Sequence, residues 1–366
     1  MAAQKLLLSF LFFSLLAGHK AVQGSADHHR QQLQRDAHSS ARPEGPLYPL
    51  KPTRLFVFGD SYVDTGNKDK AKAEARSWKV PYGMTFPGCP SGRFSDGLIL
   101  TDFLAKFFRV APPLPMAWWS RAYGPHLRMG ANFAYGGTGV FDTSSSDPNM
   151  TVQIDRFENL VRDAIFKVAV TQTSVALLAN SGNDYYTYLA KHGVSFGLLD
   201  FIDKVVNQLV VNMKRVHSLG VRKVAVTSLP ALGCVPQITS GTSYQSCNDT
   251  VNALVMLHNL NLQVAVDKLN NETSPFTFIM IDLYKPFKWV IENTTTFKNP
   301  FKPCCMGVSS EYLCGNVDAD GTKKYTVCED PSTHFFWDTV HPTQAGWGAV
   351  YWNLLPSLIH NFTSLP

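Results

Sequence analysis

The chain has 366 residues, 45% of them hydrophobic, which is enough apolar material for one large α/β domain and excludes disorder over most of its length. Its 33 basic and 28 acidic residues leave a formal net charge of +5. There is no run of five like charges, so the electrostatic footprint of a nucleic-acid-binding protein is missing.

The first residues read as a targeting segment. Lys5 precedes an apolar stretch from Leu6 to Ala17, and Ala21-Val22-Gln23-Gly24 offers small residues for cleavage. A signal peptide is therefore expected over 1–24, with the mature chain starting near Ser25. The apolar stretch is shorter than the roughly 20 residues of a spanning helix, so stable membrane insertion is not expected. Residues 25–52 are polar and carry Pro43, Pro46 and Pro49, the composition of a flexible lead-in, and one catalytic domain is expected over 53–366.

After Pro52, short apolar runs alternate with long segments of helical period. Strands are expected at Leu55 to Phe58, at Ser174 to Ala179, at Lys223 to Ser228 and at Phe276 to Asp282, with a weaker one leading into Asn132 and Phe133. Helices are expected from Gln153 to Ala169, around Ile202, Val205, Val206, Leu209, Met213 and Val216 with Gly220 as the stop, from Val251 to Leu269, and from Thr343 to Ile359 behind Pro342. Strands and helices in this alternation imply parallel strands joined by right-handed crossovers, hence an α/β fold, a three-layer αβα sandwich on a parallel sheet of about five strands.

Cysteines and sequons fit an oxidising route. Cys234 and Cys247 lie close in sequence, Cys304, Cys305, Cys314 and Cys328 crowd a second stretch, and these six read as three disulfides. Zinc is disfavoured because no Cys-x-x-Cys pair occurs. Cys89 is left over, as a buried thiol or a partner for another cysteine. Candidate glycosylation sites are Asn149, Asn248, Asn271, Asn293 and Asn361.

Four segments carry the chemistry. The first strand ends on Gly59-Asp60-Ser61, at the carboxyl edge where open α/β sheets place their ligands. A serine hydroxyl is a weak nucleophile and needs a base, and His341 has a carboxylate, Asp338, three residues before it to fix its tautomer. His334 has no such partner at that spacing. Asn132-Phe133-Ala134-Tyr135-Gly136-Gly137 and Ser181-Gly182-Asn183-Asp184 supply glycine and amide groups at two further strand ends.

In this order the blocks Phe58-Gly59-Asp60-Ser61-Tyr62-Val63-Asp64-Thr65-Gly66-Asn67, Asn132 to Gly137, Gly182-Asn183-Asp184 and Asp338-x-x-His341-Pro342 resemble the plant GDSL esterase/lipase family of the SGNH hydrolase superfamily. The segments Phe86-Pro87-Gly88, Gly92 to Gly97 and Leu229 to Cys234 are also similar to its plant members. The resemblance spans residues 54 to about 355. It implies a flavodoxin-like sheet, a Ser61–His341–Asp338 triad, an oxyanion hole built from the Ser61 N–H, the Gly136 N–H and the Asn183 amide, and no cofactor or metal. Ser181 stands where the family usually has glycine. The serine is not in a Gly-x-Ser-x-Gly elbow, which points to a shallow, open site.

The resulting expectation is a secreted serine carboxylic ester hydrolase whose partner is an ester substrate, most readily the acetyl groups of O-acetylated cell-wall polysaccharide such as xylan. Acyl lipids are the alternative ester, and a noncatalytic glycan- or lipid-binding glycoprotein is the alternative of another class. The expected location is the cell wall or extracellular space, with the Golgi lumen as the other stop on the same route. Asp60, Asp64, Asp184 and His341 match no metal-ligand spacing. Trp118, Trp119, Tyr185, Tyr186 and Tyr188 read as core or rim aromatics.

Overall fold

A computed structural model describes residues 52–363 apart from 73–74, 122–128 and 194–196. The expected signal peptide and all of the lead-in but Pro52 lie outside the described residues. Six parallel strands form the main sheet: β1 (Arg54–Phe58), β2 (Leu114–Pro115), β3 (Gly130–Asn132), β4 (Ser174–Leu178), β5 (Lys223–Thr227) and β6 (Phe278–Ile281). Their spatial order is β2-β3-β1-β4-β5-β6. Five of them match the expected strands. The sixth, β2, is a two-residue edge strand ending on Pro115, and proline, having no N–H to give a ladder, is tolerated at an edge but hides the strand from a sequence reading. Without β2 the order is that of a flavodoxin-like sheet.

Seven helices of eight or more residues cover this sheet among the described residues: α1 (Leu100–Phe108), α2 (Met150–Arg162), α3 (Asn183–His192), α4 (Gly197–Ser218), α5 (Asp249–Glu272), α6 (Tyr284–Asn293) and α7 (Gln344–Thr363). One core layer joins Leu55, Val57, Val175 and Leu177 to Leu104 of α1, Phe287 of α6, and Trp347 and Leu354 of α7. The opposite layer joins Phe56, Phe58, Ala176 and Leu178 to Phe157 of α2, Leu209 and Met213 of α4, and Leu262 of α5. Successive strand residues point to opposite faces and both faces are covered, so β4 and β5 are buried along their whole length. This is the expected three-layer sandwich.

Differences from the sequence reading have local causes. The helix expected over Gln153 to Ala169 begins at Met150, because Asn149 Oδ1 accepts the Val152 N–H, and stops at Arg162, before the left-handed turn at Ala164 (φ 56°). The turn places Phe166 against Phe56 at 4.8 Å. Helix α1 was not expected, although Leu100, Phe103, Leu104, Phe107 and Phe108 recur at three- and four-residue steps; its nine residues are a short run for that period to stand out in.

The six clustered cysteines form Cys234–Cys247, Cys304–Cys328 and Cys305–Cys314. Cys89 corrects an expectation, since it is neither buried nor paired: it sits at the end of the exposed run 84–89, which closes through a Gly88 N–H to Gly83 C=O bond, while every other cysteine is taken.

In the second core layer, His258 of α5 is buried, with Nδ1 2.7 Å from the Tyr185 hydroxyl of α3, and burial pushes its pKa down to about 3. Between that value and the ordinary 6.5 the unfolded chain holds the extra proton, so this residue's contribution to stability is lost as the pH falls. The difference in urea unfolding free energy between wild type and His258→Gln is expected to change by about 3 kcal/mol from pH 7 to 4, wild type losing more. Parallel profiles would contradict it.

Candidate active site

The sheet's first strand runs into a glycine that closes on the end of β4. Gly59 has φ 140°, and a Cβ there would lie 2.3 Å from the Ala179 carbonyl oxygen, so only glycine fits. Both polar groups of the Gly59 peptide are met by one side chain of α2: the Gly59 N–H donates to Gln153 Oε1 at 2.7 Å, and Gln153 Nε2 donates to the Gly59 carbonyl at 2.9 Å. The chain then turns, the Val63 and Asp64 N–H groups both donating to the Asp60 carbonyl. Ser61 stands at the start of that turn, above the carboxyl end of β1.

The 280 residues separating Ser61 from His341 are closed by one hydrogen-bond distance, 2.8 Å between Ser61 Oγ and His341 Nε2. On the other side of the ring, His341 Nδ1 is 2.8 Å from both Asp338 carboxylate oxygens. Asp338 Oδ1 also accepts the N–H groups of Val340 and His341, and Oδ2 accepts the Tyr82 hydroxyl at 2.6 Å. Burial alone would raise the Asp338 pKa, but the His341 imidazole, the Arg76 guanidinium and the Tyr82 hydroxyl outweigh it and hold the carboxyl well below the usual range. The arrangement keeps a carboxylate charged beside an imidazole, and the imidazole within proton-transfer reach of a hydroxyl.

Sequence reasoning missed Tyr82, Arg76 and Gln153, since none lies near the triad in sequence and none has a spacing to betray it. The Phe86-Pro87-Gly88 and Gly92 to Gly97 segments did hold a clue. The second of them closes over the imidazole, with the Phe94 ring 5.1 Å from that of His341, and is tied down by the fork of Arg93 on Asp102 of α1, by Ser95 on the Pro342 carbonyl and by Asp96 Oδ1 on the Gln344 N–H, while the exposed first is joined to it by the Phe86 N–H on the Asp96 carbonyl. Tyr62 packs on the other side and donates its hydroxyl to the Val340 carbonyl. Ser61 is thus 6% exposed and His341 4%, so the shallow, open site expected from the missing elbow is corrected: loop packing buries the serine.

The remaining site residues meet the same centre unequally. Asn183 opens α3, and its Nδ2 donates to the Thr138 carbonyl at 2.9 Å, which uses one of its two N–H bonds. Ser181, the departure from the family pattern, donates its N–H to Asp60 Oδ2 at 2.6 Å. Gly136 differs from expectation: its N–H donates to Asp64 Oδ2 at 2.9 Å and is directed at that carboxylate. Asp64 Oδ1 accepts the N–H groups of Gly66 and Asn67, and burial, opposed by these bonds and by Lys68, pushes its pKa up to about 6. Asp184 likewise receives the Val140 and Phe141 N–H groups and is pushed up to about 6 by burial. The carboxylates of Asp60, Asp64 and Asp184 therefore brace loops with backbone bonds. Tyr185 and Tyr188 pack on Phe201 and Trp119 on Phe166, whereas Trp118 and Tyr186 are exposed.

A two-stranded antiparallel ribbon, β7 (Cys305–Gly307) and β8 (Tyr325–Val327), clamps the segment before His341: the Cys304 and Cys305 N–H groups donate to Phe336 and Trp337 carbonyls, and Trp337 N–H donates to His341 C=O. Both disulfides of the ribbon pack with Tyr82 and Trp337 in one buried cluster. Replacing Cys304 and Cys328 by serine opens a loop of sequence separation 24 and is expected to lower stability by about 3 kcal/mol in denaturant titration. A loss below about 0.5 kcal/mol would mean the clamp holds nothing together.

Comparison with known proteins meets this geometry. The family described as GDSL-like Lipase/Acylhydrolase matches residues 55–351. The Arabidopsis thaliana protein GDSL esterase/lipase At5g03610 is 50% identical over 360 residues, 96% of this chain and 95% of its own. GDSL esterase/lipase At3g09930 of the same organism is 49% identical, covering 83% of this chain and 88% of its own. A strand-end serine in contact with a histidine–aspartate pair, inside a family match that spans most of the sequence, shows that this chain belongs to the GDSL esterase/lipase family and is a carboxylic ester hydrolase.

Proposed function

We propose that Ser61, His341 and Asp338 act as nucleophile, base and orienting carboxylate, and that the substrate is a small acyl ester, most readily the acetyl groups of cell-wall polysaccharide such as xylan. The single observation that carries this reading is the unbroken relay from Ser61 Oγ through His341 to Asp338. His341 Nε2 takes the Ser61 proton as Oγ attacks the acyl carbon, then returns it to the leaving alcohol. Water attacks the acyl-enzyme in the second half, with His341 again as base. Asp338 holds the imidazolium that forms between these steps.

The developing oxyanion is assigned the Ser61 N–H and the second N–H of Asn183, whose side chain is already aimed by Thr138. The Gly136 N–H, bound to Asp64, serves the site by holding its loop. A buried Ser61 with Phe94 and Tyr62 against the imidazole favours an acetyl over a bulky acyl group. Passage through the secretory route to the cell wall or the Golgi lumen, with sugar added at some of Asn149, Asn248, Asn271, Asn293 and Asn361, is supported by the apolar leader and the three disulfides. Acyl lipids are the second reading, favoured by the exposed Met84 and Phe86 on the segment that carries Tyr82.

Ser61→Ala is expected to lower p-nitrophenyl acetate turnover by at least about 10³-fold without loss of fold. Equal rates would remove Ser61 from the mechanism. Acetyl release from acetylated xylan is expected to exceed hydrolysis of medium-chain esters, and the reverse order would move the assignment to lipids. Tyr82→Phe keeps the ring but removes the hydroxyl on Asp338 Oδ2, so the carboxylate loses a fixed partner and holds the imidazole less well in line with Ser61. Its expected signature is a kcat lower by roughly tenfold with an unchanged KM. A kcat equal to that of wild type would reduce Tyr82 to packing.

A further inference from the structure

Away from the catalytic centre, α6 and α7 leave between them a groove of about 510 Å³ whose lining includes Trp289, Asn293, Thr294, Thr296, Trp352 and Asn353. Trp289 is 47% exposed and Trp352 70%, an unusual display of two large apolar rings on one surface, of the kind that marks a place something covers. Asn293 is the last residue of α6 and begins the sequon Asn293-Thr294-Thr295. Its Nδ2 donates to the Trp289 carbonyl at 3.0 Å, so the amide is folded back over the final turn, on the helix face that residues four apart share.

We propose that this groove is the seat of an N-linked glycan on Asn293, whose first sugar packs on Trp289 and Trp352. The inference rests on the secretory reading given above. In the modification, Nδ2 bonds to C1 of the sugar as the C1–O bond to its lipid-diphosphate donor breaks. The amide gives up one proton, and the diphosphate leaves. The second N–H stays on Nδ2, enough to keep the bond to the Trp289 carbonyl. A sugar ring has apolar C–H faces that fit an indole, and a polar rim that fits the Thr294, Thr296 and Asn353 side chains. Being covalently tethered, it meets the groove at high effective concentration and loses little further freedom on docking. Two other sequons are placed differently: the amides of Asn149 and Asn248 cap the starts of α2 and α5.

The test uses the full chain made in a eukaryotic secretory host. Mass spectrometry of the Asn293 peptide is expected to show occupancy in wild type and in Thr295→Ser, which keeps the sequon, and none in Thr295→Ala. Acrylamide quenching of tryptophan emission is then expected to rise in Thr295→Ala, to stay low in Thr295→Ser and after trimming to a single sugar, and to lose its dependence on the glycan in a Trp289→Phe/Trp352→Phe variant. An empty Asn293 beside a filled sequon elsewhere in the chain overturns the proposal while leaving the secretory reading intact. An occupied Asn293 with identical quenching in wild type and Thr295→Ala overturns it too, as does protection of the bare groove by soluble acetylated xylan with Asn293 vacant. A chain with no sequon filled would fail the secretory reading itself.

Discussion

The structure depends on keeping one charged carboxylate, Asp338, in a place from which water is excluded. An uncompensated buried carboxylate costs several kcal/mol, so every neighbour has to supply charge or a donor. Asp338 receives two backbone N–H groups from its own turn, the His341 imidazole, the Tyr82 hydroxyl and the field of Arg76. These come from distant parts of the chain, and much of the surrounding architecture holds them there. The disulfide ribbon pins Trp337 next to Asp338, and the Gly92 to Gly97 segment is tied to the start of α7 so that Phe94 can close over His341.

The sheet decides where this carboxylate and its partners meet. From β1 the chain goes to β2 and β3 on one side and then to β4 on the other, so the loops after β3 and β4 part at β1, the kind of reversal at which open α/β sheets bind ligands. Ser61 follows β1, Gly136 follows β3 and Asn183 follows β4, which brings three sequence-distant blocks to one edge. The Asp338–His341 pair arrives just before α7, whose Trp347 stacks edge-on against Tyr62 at 5.1 Å and so couples the helix to the serine turn.

Much of this was legible in the sequence for physical reasons. Strands buried on both faces appear as continuous apolar runs, as in Leu55 to Phe58 and Lys223 to Thr227, and α4 shows its buried stripe at three- and four-residue steps. The Asp338–His341 contact is local and can be read from spacing. What could not be read is tertiary: Tyr82 reaches Asp338 across 256 residues, and Gln153 reaches Gly59 across 94, with no periodicity to announce either. Helix α1 carries its apolar stripe over only nine residues, and β2 is two residues long and ends on Pro115, so neither stands out in the sequence. The use of Gly136 was misread because a glycine N–H in a loop shows nothing of its acceptor until Asp64 is in place.

Asp64 shows how far local braces shape the site. Three backbone N–H groups converge on its carboxylate, yet burial still raises its pKa to about 6, so the fold tolerates a destabilised anion there. Such a cost is retained where a neutral group cannot do the same work: an asparagine in that place would keep one acceptor oxygen but turn an NH₂ toward one of the three N–H groups, donor against donor. The turn after Ser61 and the glycine loop after β3 are thereby locked to each other, and the side chains of Asn67, Lys68 and Asn132 add further bonds between them. The position of the serine hydroxyl and the shape of the glycine loop cannot vary independently, and this rigidity is what allows the relay to be preset before substrate arrives.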